Sequence, residues 1–261
     1  MVIRTVVWGE NVHDRDSKIV QSIYPDGMHT AIADGLNEDN GLSASTAVLQ
    51  DVEHGLTEQR LAETDVLIWW GHAAHGDVSD DIVDRVQQRV WEGMGLIVLH
   101  SAHFSKIFRR LMGTPCSLCW REAGERERLW VINPAHPIVQ GIGPYIELPN
   151  AEMYGEPFAV PEPMETVLVS WFEGGEVFRS GLTYQRGAGK IFYFRPGHET
   201  YPIYHNEDVK RLLKNAVHWA RSAAPAWTSV DDAPNRPVEQ ALEPLEEKGP
   251  RLHKDGEAGL R

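Results

Sequence analysis

Val66-Leu67-Ile68-Trp69-Trp70-Gly71-His72 is a run of five apolar residues that stops at a glycine and a histidine. Leu96-Ile97-Val98-Leu99-His100 repeats the arrangement farther along. Short runs without polar alternation are what strands buried on both faces require, and such strands belong to parallel sheets covered by helices. Between them, Asp80–Glu92 sets Ile82, Val83, Val86 and Val90 on one helical face. Strand, amphipathic helix, strand at this spacing makes a βαβ unit, so the expected fold is α/β around a mostly parallel central sheet.

The same alternation extends outward. Val2–Trp8 reads as a first strand that ends in the polar loop Gly9-Glu10-Asn11-Val12-His13. Helices are expected at Met28–Leu36, Glu58–Glu63 and Phe104–Met112, the last stopped by Gly113, and a strand at Ser45–Asp51. The second half differs. Leu129–Ile132, Thr166–Phe172, Val177–Tyr184 and Lys190–Phe194 read as strands, joined in part by the glycine-rich turns at 173–176 and 186–189. These predict antiparallel additions to the sheet. An amphipathic helix over Asp208–Ala220 closes the domain, taken as residues 1–222. Residues 223–261 hold Pro225, Pro234, Pro237, Pro244 and Pro250 and little periodicity, which predicts a tail that is either mobile or an arm on a neighbouring subunit.

Composition narrows the function. The chain has 261 residues, a formal net charge of −13, 12 histidines and 2 cysteines. Two thiols cannot build a disulfide framework. The acidic balance argues against a nucleic-acid partner, which wants clustered Lys and Arg. No apolar run is long enough to span a bilayer, and none has the form of a signal peptide, so the expected location is the cytoplasm. Histidine is the commonest metal ligand and the usual acid or base near neutral pH.

Ligands of open α/β sheets bind outside the carboxyl ends of the parallel strands. His72 and His75 follow the strand Val66–Trp70, His100 and His103 follow Leu96–Leu99, and His198 follows Lys190–Phe194, in Gly197-His198-Glu199. His13 closes the loop after the first strand. If the strands are neighbours, these loops converge. Two H-x-x-H spacings and a G-H-E suggest a divalent metal on His72, His75, His103 and His198, with zinc first and manganese, iron or cobalt as alternatives. Taken singly, His13 and His100 read better as hydrogen-bonding loop residues, whereas His72, His75, His103 and His198 taken together favour a metal or substrate site. Glu152-Met153-Tyr154-Gly155-Glu156 offers a carboxylate and a phenol in a stretch that reads as irregular. Cys116 and Cys119 form a single C-x-x-C in an extended segment, and two ordinary thiols is the better reading.

Trp8-Gly9-Glu10-Asn11-Val12-His13, Trp69-Trp70-Gly71-His72, Val98-Leu99-His100-Ser101-Ala102, His136-Pro137-Ile138, Glu152-Met153-Tyr154 and Gly197-His198-Glu199 together resemble the ThuA-like, or trehalose-utilisation, proteins. The resemblance covers residues 2–222. It implies the class I glutamine amidotransferase-like fold, a flavodoxin-like three-layer sandwich with its site at the carboxyl edge of the sheet. Amidotransferases carry a nucleophilic cysteine on the turn after a central strand. Here that turn is His100-Ser101-Ala102-His103, so glutamine hydrolysis is not expected. Ser101 lacks the G-x-S-x-G glycines of a serine nucleophile.

Two readings follow. One is a metal-dependent enzyme acting on a keto-sugar or glycoside as isomerase, lyase or hydrolase. His198, Glu199, Glu152 and Tyr154 would be catalytic, and Glu10, His13, Trp70, His100 and Ser101 would bind substrate. The other is a non-catalytic protein that binds a sugar or another protein chain on the same scaffold. The expected partners are a small carbohydrate and further copies of the chain in a homo-oligomer.

Overall fold

The structure is a computed structural model and describes residues 2–222, 243–246 and 248–250. Almost the whole of the tail expected at 223–261 lies outside the described residues. The strands are β1 (Ile3–Gly9), β2 (Leu42–Val48), β3 (Val66–Trp70), β4 (Gly95–Leu99), β5 (Cys119–Val131), β6 (Tyr145–Gly155), β7 (Glu165–Phe172), β8 (Val177–Arg186) and β9 (Gly189–Phe194). They form one sheet in the order β2-β1-β3-β4-β9-β8-β7-β5-β6. β2, β1, β3, β4 and β9 run parallel. From β9 outward, β8, β7, β5 and β6 pair antiparallel. The five parallel strands have the flavodoxin order, in which the chain switches direction between β1 and β3.

The helices are α1 (His13–Asp16), α2 (Lys18–Ile23), α3 (Met28–Asn37), α4 (Glu58–Ala62), α5 (Asp80–Trp91), α6 (Lys106–Met112) and α7 (Glu207–Ala220). Side-chain oxygens of Ser17, Thr57, Ser105 and Asn206 accept from first-turn amides of α2, α4, α6 and α7. Such caps satisfy donors that have no partner within the helix. Gly113, with φ 68°, ends α6 in the left-handed conformation.

The period-two alternation of the parallel strands divides the core in two. Val7, Ile68, Trp70, Ile97, Leu99, Phe192 and Phe194 pack with Ile32 and Leu36 of α3 and Leu212, Ala216 and Val217 of α7. Val6, Trp8, Leu67, Trp69, Leu96, Val98 and Tyr193 pack with Leu61 of α4, Val83 and Val86 of α5, and Phe108 of α6. This is the expected three-layer sandwich.

Several boundaries are corrected. β2 begins at Leu42 and ends at Val48, earlier than Ser45–Asp51. β5 reaches back from the expected Leu129 to Cys119. The stretch around Glu152, expected to be irregular, is part of β6. Residues 100–104 form a 3-10 turn ahead of α6, so that helix starts at Lys106 and not Phe104.

Candidate functional site

The loops after β1, β3, β4 and β9 meet at the carboxyl edge of the parallel strands, and the inward face of β6 closes one side. Glu10 ties the first two loops together. Its carboxylate accepts from the backbone amides of Ala73 (2.7 Å) and Ala74 (2.9 Å). Glu10 is buried, so it acts on the loop backbone more than on solvent.

Glu199 is the centre of the next layer. One of its oxygens, Oε1, contacts Nδ1 of His13 and lies 2.7 Å from Nδ1 of His72. His13, His72 and Glu199 are the group of possible metal ligands whose donor atoms converge among the described residues, all within 4.8 Å of one another. They come from the β1 loop, the β3 loop and the β9 loop, at the switch point of the sheet. Burial opposes ionisation of Glu199, but His72 and His198 outweigh it and hold its pKa far below the usual carboxylate range. The same contact raises His72 above the ordinary histidine value although burial acts the other way. Glu199 Oε2 is buried without a hydrogen-bond partner.

A second layer lies beside it. His72, His100 and His198 form a triangle with ring centroids 5.5 to 6.1 Å apart. His100 stands directly after β4 with φ 53°, a left-handed conformation uncommon outside glycine. Its Nδ1 lies 2.9 Å from the carbonyl of Arg195, which can only accept, so Nδ1 carries a proton. Its Nε2 therefore points into the site, 3.0 Å from Glu152 Oε2 and 3.5 Å from the Tyr154 hydroxyl. Burial works to raise Glu152, but His100 prevails and leaves its pKa below the usual value. Burial pushes the Tyr154 phenol well above its usual range, so it stays a proton donor. His198 Nδ1 accepts from the Thr200 amide (3.3 Å) and faces its hydroxyl at 2.8 Å, which leaves Nε2 as the protonated nitrogen. Burial and the neighbouring His100 bring His198 down to about 4, so it is neutral at pH 7.

The expected ligand set and the converging one share His72. His198 stands next to the cluster, with Nδ1 3.8 Å from Glu199 Oε2. His75 sits in a short 3-10 turn (His75–Asp77) beside Glu10 and is not part of the converging group. His103 donates Nδ1–H to the carbonyl of Cys116 (2.7 Å) and packs against Phe104, Tyr154, Phe158 and Tyr193. Burial brings it down to about 3, as for a neutral core histidine. Among the residues expected to bind substrate, His13 and His100 reach the site. The indole of Trp70 donates to Gly197 O (3.1 Å) and the hydroxyl of Ser101 to Gly71 O (2.8 Å), so both hold loops together.

Arg195 is not among the site residues that the sequence suggests. It is fully buried, donates to the backbone carbonyl of Glu152 (2.5 Å), and pairs with buried Glu127, which also contacts Ser170. It fixes β6 against β9 behind Glu152. The two thiols lie outside the turn after β4, Cys116 buried and Cys119 exposed. No helix among the described residues is long and apolar enough to cross a membrane.

Comparison with known proteins places these features. The family model described as trehalose utilisation, ThuA, matches residues 4–220. No curated protein matches the sequence. A solved structure described as a ThuA-like protein from Parabacteroides merdae superposes with a TM-score of 0.66 at 12% identity, covering 87% of this chain and 93% of its own. A cytoplasmic protein from Salmonella typhimurium superposes at 0.56 with 12% identity, covering 84% and 100%. A protein described as a GMP synthase component from Thermoplasma acidophilum superposes at 0.51 with 11% identity, covering 84% and 94%. At these identities the likeness shows the fold, which is flavodoxin-like and amidotransferase-like.

Proposed function

The chain belongs to the ThuA family of trehalose utilisation, and from that premise we propose that it is a metal-assisted enzyme moving a proton on a keto-sugar at the carboxyl edge of its sheet. The observation that carries this reading is the convergence of His13, His72 and Glu199 at the switch point. Two imidazoles and a carboxylate form a donor set suited to zinc, with manganese, iron or cobalt as alternatives. The buried, unpartnered Oε2 of Glu199 is a second sign that this layer is built to hold a cation. When bound, such an ion supplies Lewis acidity to a carbonyl or hydroxyl oxygen of the sugar.

The chain's own groups handle the proton. Glu152 is ionised at neutral pH and held from behind by Arg195, so it is the base for a proton next to a keto group. Tyr154 keeps its proton and can donate a hydrogen bond to developing negative charge. Neutral His198 offers its Nε2–H from the β9 side. Removing a proton next to a ketone opens both isomerisation and elimination. With His100 on the turn after β4, there is no thiol for glutaminase chemistry there. The cytoplasmic description of the Salmonella protein supports a cytoplasmic location.

Elemental analysis of purified protein, melting curves with added Zn²⁺, Mn²⁺ and Co²⁺, and turnover of keto-trehalose test this together. The expected result is bound divalent metal that is lost in His72→Ala and Glu199→Ala. Glu152→Gln should keep the metal and lose about 10²-fold or more in rate. Absence of metal together with unchanged melting sinks the metal role. Tight binding of the keto-sugar without conversion favours the non-catalytic binding protein instead.

A further inference from the structure

Beside the polar cluster the structure places an aromatic that the site does not use. In the β5–β6 pairing Trp120 stands opposite Tyr154. Directly opposed residues of an antiparallel pair project from the same face. Tyr154 projects toward the site, where its ring stacks on His100 with centroids 5.1 Å apart. Glu122, two residues along β5, lies on this side too, its carboxylate 3.7 Å from His198 Nε2.

Trp120 is 62% exposed, more than any other Phe, Trp or Tyr among the described residues. Its indole has no ring contact or hydrogen bond there, whereas exposed Trp130 packs on Tyr145. A large apolar surface left open beside a buried polar site is an anchor for a ligand that is itself flat and partly apolar. A pyranose ring fits this description. Its C–H faces are apolar and its rim carries hydroxyls. Trp120 offers the face and Glu122 an acceptor for the rim.

We propose that Trp120 and Glu122 form an outer subsite that takes the second ring of a disaccharide whose first ring lies among His72, His100 and Glu152. This rests on the carbohydrate reading above.

Calorimetric titration of trehalose and of glucose into the full chain separates the possibilities. The expected result is that Trp120→Ala weakens trehalose about tenfold and leaves glucose within twofold, while Trp120→Phe restores most of the loss. Melting curves check that the variants are folded. Unchanged trehalose affinity in Trp120→Ala overturns the subsite and leaves the carbohydrate reading standing. Equal loss for both sugars overturns the assignment to a second ring. A changed oligomeric state with unchanged affinity makes Trp120 a contact between copies of the chain and overturns the proposal. If neither sugar binds the wild-type chain, the subsite is overturned, while the keto-sugar reading stands or falls on the turnover of keto-trehalose.

Discussion

Gly197 shows how tightly single residues constrain the site. Its φ is 145°, and a Cβ there would lie 2.1 Å from the Tyr204 hydroxyl and 3.1 Å from Cβ of His100. Only glycine lets the chain leave β9 and deliver His198 and Glu199 to the edge. Gly197→Ala is expected to lower stability by about 2 kcal/mol in urea unfolding. A full-stability variant would show that the close approach is relaxed at little cost. The residues themselves are only partly legible in the sequence. His100 and His103 look equivalent there, both just past a strand. Both meet Tyr154, but His100 leaves β4 in the left-handed conformation and turns Nε2 to Glu152, whereas His103 spends Nδ1 on the carbonyl of Cys116 and packs into an aromatic cluster. Arg195 gives no signal because its partner Glu127 sits in Glu125-Arg126-Glu127-Arg128, where the charges on both faces hide which one is buried.

At the scale of elements, the parallel strands are readable because burial on both faces leaves an unbroken apolar run. The edge strands are not. β6 is the last strand of the sheet and contains Pro149 and Asn150, turn-forming residues that an edge tolerates because one side makes no ladder bonds. The early part of β5, Arg121-Glu122-Ala123-Gly124-Glu125, is polar on both faces and bulged, so no alternation survives. Beyond β6, Glu156 ties the chain to β8. Its carboxylate accepts from Arg179 Nε (2.8 Å) and Nη2 (3.0 Å) and from the amides of Phe158 (2.7 Å) and Arg179 (3.1 Å). Burial alone would raise its pKa, but these donors lower it. A depressed carboxylate stabilises the fold above its unfolded value, about 4.3, and the contribution fades as pH falls through the lower folded value. Glu156→Gln should therefore cost about 1 kcal/mol at pH 7, allowing for solvent screening of a partly exposed pair. It should also flatten the acid limb of a stability–pH curve below about pH 4. An acid limb as steep as wild type would place the sensitivity elsewhere.

For the whole molecule, the strand order does most to assemble the site. β1, β3, β4 and β9 are parallel neighbours, so loops far apart in sequence deliver His13, His72, His100 and Glu199 to one edge. That convergence is foreseeable from histidines at strand ends. The choice among them is not, because it depends on which imidazole nitrogen each loop has already bound to a backbone carbonyl. Anomalous diffraction at the zinc edge, from crystals of the full chain grown with zinc, tests the central claim most directly. The predicted result is a peak about 2.0–2.2 Å from donor atoms of His13, His72 and Glu199. No peak at that position, or a peak on His75 and His103 instead, would contradict it.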